Sequence, residues 1–298
     1  MEVINISKKR YENLESLQLP TSVFNGEAQM YILPIKNKNE IVNKLLKRLN
    51  ITRGPILGNK LQTINSLVDL KEKIDIPEIV FPEKLAVVDN QIVGYIMELV
   101  ESIDLETAII SPEISPERKI KYLRQIGEIL EKMKNVRKNY KIKDFYLNDM
   151  HEHNFIIENK TDNVRVVDID SCKINGNYTF GSRYLSPMSL ISKVTKYQKE
   201  TNGICGGYIV PSEDTDLYCY IIMILNTLFD GCVYRFTIDE LYIYLNYLET
   251  IGVNSELLTI FENIITDSPN KNPYKLLDSL VPILPKANYN EFRRVRKK

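Results

Sequence analysis

The sequence predicts an α+β fold in which a small β-rich part is followed by a larger helical part. Three observations carry this. Short runs rich in β-branched and aromatic residues, broken by turn residues, occupy much of the first hundred positions. A long amphipathic stripe begins after Ser115. The run 217–229 (LYCYIIMILNTLF) is apolar on every side, as expected of a helix buried at the centre of a domain.

Taken in order, 21–24 (TSVF), 30–35 (MYILPI) and 40–46 (EIVNKLL) read as strands. A helix is expected over 59–73, where Leu61, Ile64, Leu67, Val68 and Leu70 recur mostly at spacings of three and four. Strands at 84–89 and 91–98 meet at Asp89-Asn90, which is good hairpin chemistry. Ser115-Pro116-Glu117 is a helix start, with Ser as N-cap, Pro at the first helical position and an acid in the first turn. Ile120, Leu123, Ile126, Ile129, Leu130 and Met133 continue its apolar stripe to about residue 134. Two β-rich runs, 155–157 and 164–167, flank a turn, and helices follow from Glu213 onward.

Composition excludes several classes. With 44% hydrophobic and 26% charged residues the chain is globular. Lys plus Arg equals Asp plus Glu at 39 each, which argues against wholesale nucleic-acid binding; the basic stretch 293–298 (RRVRKK) reads as a solvated end. The longest apolar run has 13 residues, whereas a membrane span needs about 20. The opening residues lack an apolar signal core. The four cysteines (Cys172, Cys205, Cys219, Cys232) form no CxxC pair and read as reduced thiols, so a cytoplasmic protein is expected. The only histidines, His151 and His153, are too few for a His-rich metal site.

The chemistry-bearing stretch is 147–170 (LNDMHEHNFIIENKTDNVRVVDID). Asp149 and Asn154 precede one strand, and Asp168 and Asp170 follow the next. A hairpin would gather Asp149, Asn154 and Asp168 at one mouth, with His151 and Asp170 near, and oxygen donors of this kind suit Mg²⁺ and its phosphate ligands. The same spacing also describes a plain hairpin whose acids cap turns.

At these residues the chain resembles the protein kinase-like phosphotransferases, over roughly 20–285. Asp149, Asn154 and Asp168 fall on the D-x-x-x-x-N loop and the D-F-G aspartate, with DID in place of DFG. The form D-x-H-x-x-N, with His151, is similar to the aminoglycoside- and choline-kinase branch. Residues 180–188 (FGSRYLSPM) resemble the end of an activation segment, and 213–217 (EDTDL) resembles a segment whose aspartate, here Asp216, supports the loop backbone. Residues 95–105 (YIMELVESIDL) resemble the strand and hinge that hold adenine, with Met97 as gatekeeper and the backbone of Glu98 and Val100 bonding the base. Lys44 sits where the V-A-I-K lysine belongs, which implies a contact to the α/β-phosphates.

The resemblance implies a two-lobed fold, with an N-terminal β-rich lobe at 1–98, a helical lobe at 99–285 and a basic tail at 286–298. It implies ATP and Mg²⁺ as cofactors and phosphoryl transfer to a hydroxyl acceptor, on a protein Ser/Thr or on a small molecule. Asp149 would act on the acceptor, and His151 would either contact the acceptor or cap the loop. Asn154 and Asp168 would hold metal, and Asp170 would either add a second ligand or freeze the loop. There are departures. No G-x-G-x-x-G is present, and residues 24–30 contain only Gly26. No helix glutamate stands near Thr63 to pair with the lysine. Leu147-Asn148 replaces His-Arg, while Met188 and Asn272 replace both members of a further ion pair. A scaffold of kinase-like shape without turnover is the alternative these departures suggest.

Overall fold

A computed structural model describes residues 2–16, 28–37, 40–50, 55–179, 211–229, 233, 236–266, 271–288 and 290–292. The fold is α+β, with its large sheet and one long helix in the first hundred residues and most of its helices after them. That sheet comprises β1 (Val3–Asn5), β2 (Glu15–Ser16), β3 (Ala28–Asn37), β4 (Glu40–Leu49), β5 (Pro82–Val88) and β6 (Gln91–Glu98), in the order β1-β5-β6-β4-β3-β2. Neighbours are antiparallel except β1, which runs parallel to β5. The expected turn between β5 and β6 forms: Asp89 and Asn90 both take positive φ (47° and 64°), the geometry that matches the strand twist.

Period-two alternation splits the side chains of this sheet between two cores. Leu33, Leu46, Ala86 and Ile96 face one side, under Ile6, Tyr11 and Leu14 of the N-terminal segment, which includes α1 (Lys8–Glu12). Leu49, Leu85, Tyr95 and Met97 face the other, against Ile64 of α2 (Pro55–Lys71). Both faces are covered, which explains the nearly continuous apolar run of β6. Among the boundaries that differ from expectation, β4 continues to Leu49, α2 begins at Pro55 and the helix that starts at Pro116 runs on to Asn139. The expected strand at 21–24 and the segment 180–188 lie outside the described residues.

Beyond the sheet, β7 (Ser102–Asp104) leads into α3 (Leu105–Ile110) and α4 (Pro116–Asn139). Ser115 caps α4 as expected, its hydroxyl accepting from the Arg118 amide at 3.4 Å, and the stripe through Ile120, Leu123, Ile126, Leu130 and Met133 is buried. The short strand β8 (Phe145–Tyr146) precedes the hairpin β9 (Phe155–Glu158) and β10 (Asn163–Val166), and β11 (Lys173–Ile174) pairs back with β8. Asp162 in the hairpin turn accepts from Arg118 (2.6 Å), Lys121 (2.9 Å) and the Tyr122 hydroxyl (2.6 Å), which pins the hairpin to α4.

Helix α5 (Glu213–Phe229) is buried along nearly its whole length, followed by α6 (Ile238–Thr250) and α7 (Ser255–Thr266). Thr237 and Glu240 close a capping box at α6. Phe292 falls in the stretch expected to be a tail, yet it is 1% exposed and seated against Phe229 and Tyr244. Burial of its ring places at least this part of 286–298 in the core. Cys172 and Cys219 are buried, whereas Cys205 and Cys232 lie outside the described residues. Among the described residues no helix is long and apolar enough to cross a membrane.

Candidate functional site

The hairpin does what its sequence spacing implies. Phe155 pairs with Val166, and the Val167 amide donates to the Asn154 carbonyl at 2.9 Å, so the loop before β9 and the segment after β10 meet at one end. Asn154 is buried, and its side-chain nitrogen donates to the Asp149 carbonyl (2.7 Å) and reaches Asp149 Oδ2 (3.4 Å). With the nitrogen so used, the amide oxygen is the atom by which Asn154 could hold a cation. His151 is buried, with Nε2 3.7 Å from Asp149 Oδ2 and its ring edge-on to His153. Glu152 is buried beside Asn226 (3.2 Å), and burial raises its pKa.

The loop backbone is held from below. Asp216, in the first turn of α5, accepts from the amides of Leu147 (2.8 Å) and Asn148 (3.1 Å), which is the supporting role expected of it. Its carboxyl is pushed up to about 7, because burial outweighs those two donors. Asn148 stands where the resembled family has arginine. It takes a left-handed conformation (φ 66°), and its amide donates to the carbonyls of Ser171 (2.8 Å) and Thr179 (3.4 Å). Asn272, the other residue noted in place of an arginine, donates to the Gly127 carbonyl at 2.8 Å.

Asp168 leaves β10 in the left-handed region (φ 57°, ψ 42°), a conformation that Asp tolerates better than most residues. Its carboxylate forms an ion pair with the Lys47 ammonium. Lys44, the expected phosphate lysine, does not join this cluster: it sits 24% exposed and binds Glu83 Oε1 at 2.8 Å. The reason is strand geometry, because residues three apart on β4 point to opposite faces. Lys47 lies on the same alternation as Leu45 and Leu49, toward α2, and Lys44 on that of Leu46. Gly94 of β6 makes room for this strand pairing, since a Cβ there would lie 2.0 Å from the Lys47 carbonyl oxygen.

Asp170 is fully buried, and both its oxygens are engaged. Oδ2 takes Lys47 Nζ (2.9 Å) and the Tyr95 hydroxyl (3.0 Å), and Oδ1 takes Lys60 Nζ (3.2 Å). With 0% of its side chain exposed, Asp170 turns neither oxygen to solvent. Those contacts are of the kind that the segment-freezing role read from sequence calls for. Burial works against the Lys47 ammonium, but Asp168 and Asp170 outweigh it and hold its pKa well above the ordinary range. Burial likewise opposes ionisation of Asp170, and Lys47 and Lys60 overcome it, holding that carboxyl below the usual range.

Sequence reasoning missed Lys47, Lys60 and Tyr95. The available signal was a lysine inside a buried stripe: Lys60 falls in step with Leu57, Ile64 and Leu67, where periodicity calls for an aliphatic residue. The residues expected to form a hinge sit at the end of β6 and beyond it. Met97 is buried, Glu98 is exposed and paired through its side chain with Arg165 (2.8 Å), and Val100 packs at the edge of the α2-side core.

A second group, Asp104, Glu106 and His153, brings three possible ligand atoms within 4.8 Å of one another. Asp104 is already engaged as the N-cap of α3, accepting from the Thr107 amide at 2.9 Å. No family model matches the chain, and no curated protein sequence matches it.

Proposed function

We propose that the chain is a two-lobed, protein kinase-like phosphotransferase using ATP and Mg²⁺, with the nucleotide between the sheet and the hairpin mouth. The observation that carries this reading is the ion pair between Lys47 of β4 and Asp168 after β10. It joins the sheet to the hairpin end where Asp149 and Asn154 already meet. The donor set fits a hard cation: Asp168, with 21% of its side chain exposed, supplies a carboxylate and Asn154 an amide oxygen. Bound Mg²⁺ supplies charge neutralisation between phosphate oxygens.

The chain's own residues do the rest. Lys47 offers its ammonium to the α/β-phosphates, the role expected of Lys44 from sequence. Asp149, with 29% of its side chain exposed, is held by Asn154 and accepts the proton of the acceptor hydroxyl. Asp216 keeps the loop that carries Asp149 in place. Glu98 and Val100 lend backbone groups to the base behind Met97. Catalysis of this kind is mostly positioning and charge stabilisation. The acceptor is a protein Ser/Thr or a small-molecule hydroxyl.

One observation favours a second reading, a scaffold with little or no turnover: Lys47 is engaged by two carboxylates at once. Thermal unfolding with ATP, with and without Mg²⁺, separates the two. A ligand that binds only the folded state raises stability by RT ln(1 + [L]/Kd). Metal-dependent stabilisation that is lost in Asp168→Asn, with the fold retained, is the expected result. No shift at millimolar nucleotide would leave the scaffold reading standing.

A further inference from the structure

Lys60 is a lysine where the fold calls for an aliphatic side chain. It is 2% exposed on the core stripe of α2, and buried lysines occur almost only with an anionic partner. Its ammonium lies 3.2 Å from Asp170 Oδ1, while Lys47 and Tyr95 share the other oxygen. One buried carboxylate therefore ties together α2, β4, β6 and the exit of β10. Two lysines face two aspartates, so the four formal charges cancel.

We infer that Lys60 is a positioning residue: through Asp170 it forms a charge-reversed link between α2 and segment 168–171 that keeps Lys47 on Asp168. The inference rests on the reading of Lys47 and Asp168 as the phosphate and cation pair. Two features support it. The resembled family places an acid on the helix and glycine at the third position of its D-F-G, whereas here the helix carries the cation and position 170 the acid. Either change alone leaves a buried charge uncompensated; together they neutralise one another. The second feature is competition for Lys47. Asp170 is 0% exposed and Asp168 21%, so water screens the pull of Asp170 less, although the contact of Lys47 with Asp168 is the shorter of the two. Lys60 satisfies the other side of Asp170 and leaves Lys47 able to bridge to Asp168. With Lys60 neutral, Lys47 is drawn inward.

The test uses the whole chain labelled with ¹⁵N-lysine, reading the Lys47 ammonium resonance by NMR and Mg–ATP affinity by calorimetry. Wild type is compared with Lys60→Met, Lys60→Arg and the double variant Lys60→Met/Asp170→Asn. Lys60→Met should move the Lys47 signal and weaken Mg–ATP binding at least tenfold. Lys60→Arg should keep the signal and bind within threefold of wild type. The double variant, which removes the pair together, should also recover binding to within threefold. An unmoved Lys47 signal in Lys60→Met overturns the link. A moved signal with undiminished Mg–ATP affinity overturns the positioning role. If wild type binds no Mg–ATP while the signal moves as expected, the phosphotransferase reading fails and the link stands. Should Lys60→Met fail to fold, the double variant decides, and its failure to fold as well overturns the link.

Discussion

Replacing Lys47 and Lys44 in turn by Met compares two lysines on one strand, three residues apart. Lys47 Nζ lies 2.9 Å from Asp170 Oδ2, with 4% and 0% of the two side chains exposed. At an effective dielectric of 20 that separation corresponds to a gross attraction of about 6 kcal/mol. Desolvation offsets part of it, and removing one member of a buried pair typically costs about 3–5 kcal/mol. That is a large share of the roughly 5–15 kcal/mol holding an ordinary domain folded. Lys44 pairs with Glu83 at 24% and 20% side-chain exposure, and Lys71 also reaches Glu83 at 3.1 Å. Its loss should cost about 1 kcal/mol or less, as for other solvent-screened pairs. Urea unfolding measures both, with the midpoint moving at unchanged slope. Lys47→Met should also lose Mg–ATP binding, which Lys44→Met should retain. Equal destabilisation by the two variants, or loss of nucleotide binding in Lys44→Met alone, would refute the assignment of Lys47.

Asp149→Asn removes the proton acceptor but keeps size and shape. Turnover should fall by about 10²–10⁴-fold while nucleotide affinity changes by less than about tenfold, measured by paired calorimetry and phosphate-transfer assays. Gly94→Ala places a Cβ against the Lys47 carbonyl, backbone against backbone, where no side chain can move aside. A stability loss of about 1–3 kcal/mol or more is expected in urea unfolding, and an unchanged midpoint would refute the close approach. Asp216 titrates near 7 in the fold against 3.8 for an ordinary Asp, so between these values the native state holds a proton the unfolded chain has released. Its contribution to stability therefore declines as pH rises from about 4 to about 7, by up to roughly 4 kcal/mol. Asp216→Asn lacks that slope, and identical stability–pH profiles for the two proteins would contradict the raised value.

Local chemistry was legible in the sequence. The Ser115 cap, the Asp89-Asn90 turn and the hairpin that brings Asn154 beside Val167 each follow from residues close together in the chain. What was not legible depends on register and on partners far away in the chain. Lys44 and Lys47 are both plausible strand lysines, and only the pairing of β4 with β6 decides which one faces α2. Starting α2 at residue 59 left Lys60 at its end, when it lies well inside a helix that begins at Pro55. Asp170 read equally as ligand or lock, because its partners come from positions 47, 60 and 95, and periodicity carries no record of a buried charge pair.

The strand β1 has a consequence for how this sheet is assembled. Val3 lies opposite Leu85, so the outermost strand belongs to the beginning of the chain and its neighbour to a segment some eighty positions later. Closing so long a loop is slow, and β1 can add only after β5 and β6 exist as a surface to receive it. It is a short, partly exposed strip, with Val3 45% exposed and Ile6 just beyond it as its apolar anchor. Peeled back, it would bare a row of backbone donors and acceptors along β5, the kind of edge on which a strand from another chain can be templated. Residues 2–6 thus serve as a hem, and substitutions that loosen Ile6 should show themselves as self-association before any change at the hairpin mouth.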